Sequence, residues 1–149
     1  MKTRVCVLLG ILSAAAQPAL AAQNYYYKTP AADTTMPPST GAQGIVGITL
    51  PKGTWAVTAN GAGFTGGAQY NYIDCYIEAN KGTIYGRGSA GIGFQPGFNQ
   101  LANVPVSTVI TITSTQIVAL ACNLEYVPKY KVVVSAQGTF LTAQAVALH

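Results

Sequence analysis

From residue 45 onward no stretch of ten residues keeps a helical apolar spacing, and short β-branched and aromatic runs are punctuated by Gly, Pro and Asn. That texture predicts an all-β domain. The runs predict strands at residues 45–50, 54–60, 70–79, 83–86, 101–106, 109–113, 116–125, 131–136 and 139–148. Turns fall at "PKG" (51–53), "NGAGFTGG" (60–67), "NKG" (80–82) and "VPK" (127–129). This is the spacing of an antiparallel β-sandwich or jelly roll, and no internal repeat is visible.

The N-terminus places the chain outside the cytoplasm. Lys2 and Arg4 precede the apolar run "VCVLLGILSAAA" (5–16), and "ALA" (19–21) supplies small residues for a signal peptidase. The run is far shorter than the ~20 apolar residues of a spanning helix, so a cleaved signal peptide over residues 1–22 is expected and no stable membrane span afterwards. Cys6 leaves with it. The mature chain, about 127 residues, suffices for one domain with one core. Residues 23–44 hold Pro30, Pro37 and Pro38 among small polar residues and show no period, which reads as an extended arm before a β-sandwich domain at 45–149.

Losing Lys2 and Arg4 leaves Lys28, Lys52, Lys81, Arg87, Lys129 and Lys131 against Asp33, Asp74, Glu78 and Glu125. The cations are scattered. Nucleic-acid binding needs a basic stripe or patch, so that class of partner is excluded. Because only 8% of residues are charged and half are hydrophobic, the surface must be made largely of Thr, Ser, Asn, Gln, Gly and Tyr.

Alternation of two assigns strand faces. In "TWAVTAN" Trp55, Val57 and Ala59 share the core face, and in "YNYIDCYIEA" Ile73, Cys75, Ile77 and Ala79 oppose Tyr70, Tyr72, Asp74, Tyr76 and Glu78. In "QIVALACNLEY" Val118, Leu120, Cys122, Leu124 and Tyr126 form the more apolar set. Cys75 and Cys122 therefore lie on buried faces of an exported chain, where thiols are normally oxidised. A disulfide between them is the expectation. Metal binding is the rival use, but zinc takes about four N or S ligands and the single histidine, His149, is terminal.

"YGRGSAGIG" (85–93) spells G-x-G-x-x-G through Gly86, Gly88 and Gly91. A dinucleotide turn also needs a following helix and an acid about 20 residues on. Pro96 and Gly97 stop a helix, and no acid occurs between Glu78 and Glu125. The segment from Gly86 to Gly97 thus reads as a flexible connection, with no cofactor implied. Catalysis is equally hard to build: Asp74 and Glu78, four apart on one strand, are separated by about 13 Å, beyond the ~5–9.5 Å of a glycosidase pair. No Ser or Cys has a histidine base except through His149. The chain reads as a non-enzyme.

The segments "ITLPKGTWAVTAN" (48–60), "DCYIEA" (74–79), "VALACNL" (118–124) and "GTFLTAQAVAL" (138–148) resemble a pattern in small exported bacterial proteins. In these an LPxGxY/W strand, a cysteine pair and a terminal LTAxxV strand sit on a jelly roll similar to the tumour necrosis factor superfamily. The resemblance covers residues 45–148. It implies that Pro51 and Gly53 form a first turn, that Trp55 is a core aromatic, and that a symmetric trimer is an available assembly; it carries no catalytic residue. The arm before residue 45 and the glycine segment lie outside that pattern.

The functional expectation is a secreted or periplasmic, non-catalytic module for binding or assembly, whose partner is itself or another exported protein. The alternative is a glycan-binding or adhesin-type module. The candidate surface is the face of Tyr70, Tyr72 and Tyr76, which alternation turns away from the disulfide core. Three uses are open to it: cross-strand packing, a subunit interface, or a platform for sugar rings.

Overall fold

The alternating runs become ten strands in two antiparallel sheets. The structure is a computed structural model that describes residues 24–39, 41–66, 71–80, 82–93 and 100–146; the predicted signal peptide lies outside them. The strands are β1 (Tyr25–Lys28), β2 (Thr34–Thr35), β3 (Gln43–Leu50), β4 (Gly53–Thr65), β5 (Asn71–Ala79), β6 (Thr83–Ile92), β7 (Gln100–Ile112), β8 (Gln116–Leu124), β9 (Val132–Val134) and β10 (Phe140–Ala145). One sheet has four strands in the order β3-β8-β5-β6. The other has six, β1-β10-β4-β9-β2, with β7 on the far side of β4. No helix among the described residues is long and apolar enough to cross a membrane.

Setting aside the short β2 and β9, the strands nest. β1 pairs with β10, β3 with β8, β4 with β7 and β5 with β6, all antiparallel. Such nesting is one long hairpin of paired strands rolled into two facing sheets, which is a jelly roll. The segment read as an arm contributes to it: β1 extends the six-stranded sheet along β10, β2 pairs with β9, and Met36 is buried.

Between the sheets lies the core that alternation marked. Trp55, Val57 and Ala59 on β4 meet Ile73, Cys75 and Ile77 on β5, with Val118, Leu120, Cys122 and Leu124 on β8, all buried. Burying each large aliphatic side chain contributes about 1.5–3 kcal/mol. Trp55 also satisfies its one polar atom, donating from Nε1 to the Pro51 carbonyl at 3.1 Å, and Tyr26 meets its ring edge-on at 5.4 Å. The turn and the core are thereby locked to each other. Cys75 and Cys122 form the expected disulfide. They are direct cross-strand partners on β5 and β8, with Cα atoms 4.1 Å apart, so the bond lies within the four-stranded sheet.

Four local expectations are corrected. Residues 60–65, read as part of a turn, continue β4: a Cβ on Gly61 would stand 2.6 Å from the Cys75 Sγ, and one on Gly63 2.9 Å from Ile73. Those glycines answer a close approach between sheets. The flexible connection from Gly86 is, as far as Ile92, the second half of β6. Gly86 and Gly88 face β7, and a Cβ on Gly88 would come within 2.6 Å of the Pro105 carbonyl oxygen. Gly86 and Gly88 of the glycine spelling thus mark where β6 packs against β7 with little room for side chains. The runs at 101–106 and 109–113 form one strand, because Ser107 and Thr108 stay in register with Thr58 and Val57. Finally, Tyr126 is half exposed, since β8 ends at Leu124 and the Asn71 side chain bonds both the Tyr126 amide and carbonyl.

Candidate functional site

The sandwich presents two outward faces, and the sequence candidates lie on the four-stranded one. Tyr72, Asp74, Tyr76 and Glu78 alternate along β5, opposite in facing to the disulfide. Tyr70 lies outside the described residues. Cross-strand register sets Tyr76 between Arg87 on β6 and Ala121 on β8, and Asp74 between Ser89 and Asn123. Asp74 is only 7% exposed and accepts from Arg87 Nη2 at 2.6 Å and from Ser89 Oγ at 2.5 Å. Both carboxylate oxygens are thereby engaged.

Tyr76 is 8% exposed. Burial raises its phenol above the ordinary 10.0; Glu78 raises it further, Arg87 opposes, and Asp74 adds to the rise. Tyr72 is half-buried, beside the knot in which the Asn71 side-chain Oδ1 accepts from the backbone amides of Tyr72 and Tyr126. Tyr126 is raised as well, chiefly by its hydrogen bond to the Glu125 side chain. Toward the opposite end of the face, Glu78, Asn80, Gln116, Ile117 and Ala119 help to line an open depression of about 440 Å³. Glu78 is its one charged lining residue among the described residues.

The second outward face belongs to the six-stranded sheet, and the sequence reading passed over it. Its residues follow from the register of β1, β10, β4 and β7: Tyr25 and Tyr27; Phe140, Thr142 and Gln144; Thr54, Ala56, Thr58 and Asn60; then Pro105, Ser107, Val109 and Thr111. None is charged. Its polar side chains bond to one another, Thr54 with Thr111 at 3.0 Å, Ser107 to Thr58 at 3.3 Å and Asn60 to Asn103 at 3.1 Å. Tyr25 and Tyr27 are well exposed, with Tyr27 stacked on Phe140 at 6.4 Å. The signal for this surface is the alternation in "VPVSTVITI", where Val104, Val106, Ile110 and Ile112 are buried and Pro105, Ser107, Val109 and Thr111 between them are exposed and uncharged, with "YYYK" adding Tyr25 and Tyr27 on the same outward side. The "YYYK" run lies in the segment 23–44, whose lack of period predicts an arm and not a strand.

The acids are dispersed. Asp33 accepts from the Ala136 amide and Ser135 hydroxyl at the end of the six-stranded sheet, remote in sequence from Asp74, which is tied to Arg87 and Ser89. Among the described residues no group of three or more His, Cys, Asp or Glu side chains could hold a metal ion.

No protein-family model matches the sequence, and no curated protein matches it. Solved structures do resemble the fold. A chain in the structure of infectious bursal disease virus, Gt strain, superimposes with a TM-score of 0.53 at 13% identity, over 94% of this chain and 36% of that one. The VP2 subviral particle of infectious bursal disease virus gives a TM-score of 0.45 at 12% identity, over 95% of this chain and 43% of that one. This chain thus spans little more than a third of the length of the first viral chain. At 13% identity the first likeness is one of architecture alone, and it agrees with the class that the strand order defines, the jelly-roll β-sandwich.

Proposed function

We propose that the protein is an exported, non-catalytic jelly-roll module that works by association, primarily with copies of itself. The observation that carries this reading is the distribution of charge. Asp33 and Asp74 are committed to internal hydrogen bonds, while among the described residues the outward face built by β1, β10, β4 and β7 bears no side chain that is charged at neutral pH. A surface of that kind is cheap to desolvate, whereas burying charges is costly unless they are paired. Export to a secreted or periplasmic location is supported by the Cys75–Cys122 bond, which persists in oxidising compartments, and by the signal-like N-terminus. The resemblance to small exported bacterial proteins adds a trimer as one expected stoichiometry.

Light scattering on the mature protein after size exclusion tests the reading. An integral multiple of the mature mass is expected; a monomer at every concentration measured overturns it. A second reading, neutral glycan binding, is favoured by the exposed Tyr25 and Tyr27 rings on that uncharged face. Its test is retention on a glycan array that is lost in Tyr25→Ala/Tyr27→Ala.

A further inference from the structure

We infer that the outward face of the six-stranded sheet is a self-complementary interface, through which two copies pair face to face about a two-fold axis. The inference rests on the association reading above and assigns it a surface and a symmetry.

Size comes first. β4 and β7 pair over their full thirteen residues, a length of about 43 Å at ~3.3 Å per residue. β10 and β1 widen the middle to four strands, about 19 Å at ~4.8 Å spacing. The projected area is on the order of 600 Å². That meets the lower end of what each partner contributes to a stable interface, about 600–1,000 Å².

Charge points to a second copy as the occupant. A two-fold interface sets one patch against itself, so any charge near the axis meets its own kind. Among the described residues of β1, β10, β4 and β7, this face carries none. The four-stranded face, by contrast, would bring Arg87 and Glu78 toward their own copies. The polar groups on the uncharged face are also prepared for burial: Thr54 and Thr111, Thr58 and Ser107, and Asn60 and Asn103 already bond one another, and the Thr142 hydroxyl donates to the Thr58 carbonyl at 3.1 Å. Groups that enter an interface already paired avoid the penalty of being left unsatisfied. Two like-twisted sheets then stack as the two halves of a sandwich do, about 30° apart.

Val109 and Ile117 make the test, because each is a branched aliphatic residue 63% exposed, one on each outward face. The mature protein is measured by sedimentation equilibrium as wild type, Val109→Lys and Ile117→Lys, with Ser107→Lys as a second variant on the uncharged face. The expected result is a wild-type dimer, a dimer dissociation constant raised at least about a hundredfold by Val109→Lys and by Ser107→Lys, and no change for Ile117→Lys. Far-UV circular dichroism verifies that each variant is folded. A wild-type oligomer untouched by Val109→Lys and Ser107→Lys, or one of three-fold mass, overturns the inference and leaves the association reading standing. A wild type that is monomeric throughout overturns both, and a monomer retained on a neutral polysaccharide through Tyr25 and Tyr27 replaces them with glycan binding.

Discussion

The two outward faces of this sandwich have the same backbone geometry and solve the problem of being a surface in different ways. On the four-stranded sheet, Asp74 and Tyr76 face outward and are nearly buried, with no further strand layer over them among the described residues. They are shielded by side chains of their own sheet, among them Arg87 and Ser89, which reach across the register to hold the carboxylate. On the six-stranded sheet the outward residues are mostly short, the hydroxyls bond in pairs, and Tyr25, Tyr27 and Val109 stand 59–63% exposed. Facing outward therefore does not by itself mean being available. Long, complementary side chains can complete one face locally, while short uncharged ones leave another that a second molecule can cover.

The largest effect expected from this contrast involves the disulfide, which lies wholly within the four-stranded sheet. It closes a separation of 47 residues, and chain entropy gives it about 4 kcal/mol. Urea unfolding of Cys75→Ala/Cys122→Ala should show a loss of that order. An unchanged midpoint would mean that the four-stranded sheet owes its rigidity to packing alone.

A sharper comparison sets one tyrosine against another. Tyr76→Ala removes a ring that is almost fully covered and should cost about 2–4 kcal/mol, below the ~3–5 of an enclosed aromatic because water can enter the space. Tyr27→Ala removes a ring 59% exposed and should cost under about 1 kcal/mol in the monomer. Equal costs would erase the distinction between a completed face and an open one.

The smallest effect is in alkali. The unfolded Tyr76 phenol ionises near 10.0, while burial holds the folded one protonated to higher pH. That raised value contributes stability which is whole below 10.0 and is lost as pH rises through the folded value. Unfolding midpoints should therefore fall as pH rises past 10.0, and Tyr76→Phe should flatten the decline. A slope identical in Tyr76→Phe would place the alkaline sensitivity elsewhere.

Much of the fold was legible because it depends on alternation. Trp55, Val57, Ile73, Ile77, Leu120 and Leu124 were all placed on inner faces from the two-residue period, and all are buried. The candidate surface was less legible. Tyr72 and Tyr76 were placed on an outward face, but whether a neighbour's side chain covers such a residue depends on Arg87 and Ala121, which come from other strands. Tyr25 and Tyr27 were passed over because four residues are too few to assert a strand until β10 stands beside them.

What the sequence determined by itself was every feature that rests on local chemistry: strands rather than helices, the buried sides of those strands, the two cysteines on such sides, and the failure of the glycine run as a nucleotide site. Tertiary structure alone decided what the glycines were for. Gly61 and Gly88 are compatible with a turn or with a close approach, and what tells these apart is the Cys75 sulfur beside one and the Pro105 carbonyl beside the other. It also decided that Cys75 and Cys122 are bonded neighbours within one sheet, because register is set by pairing between strands distant in sequence. The physical reason is the same in each case: a residue's type records the space it needs, but only its non-local neighbours determine the space it has.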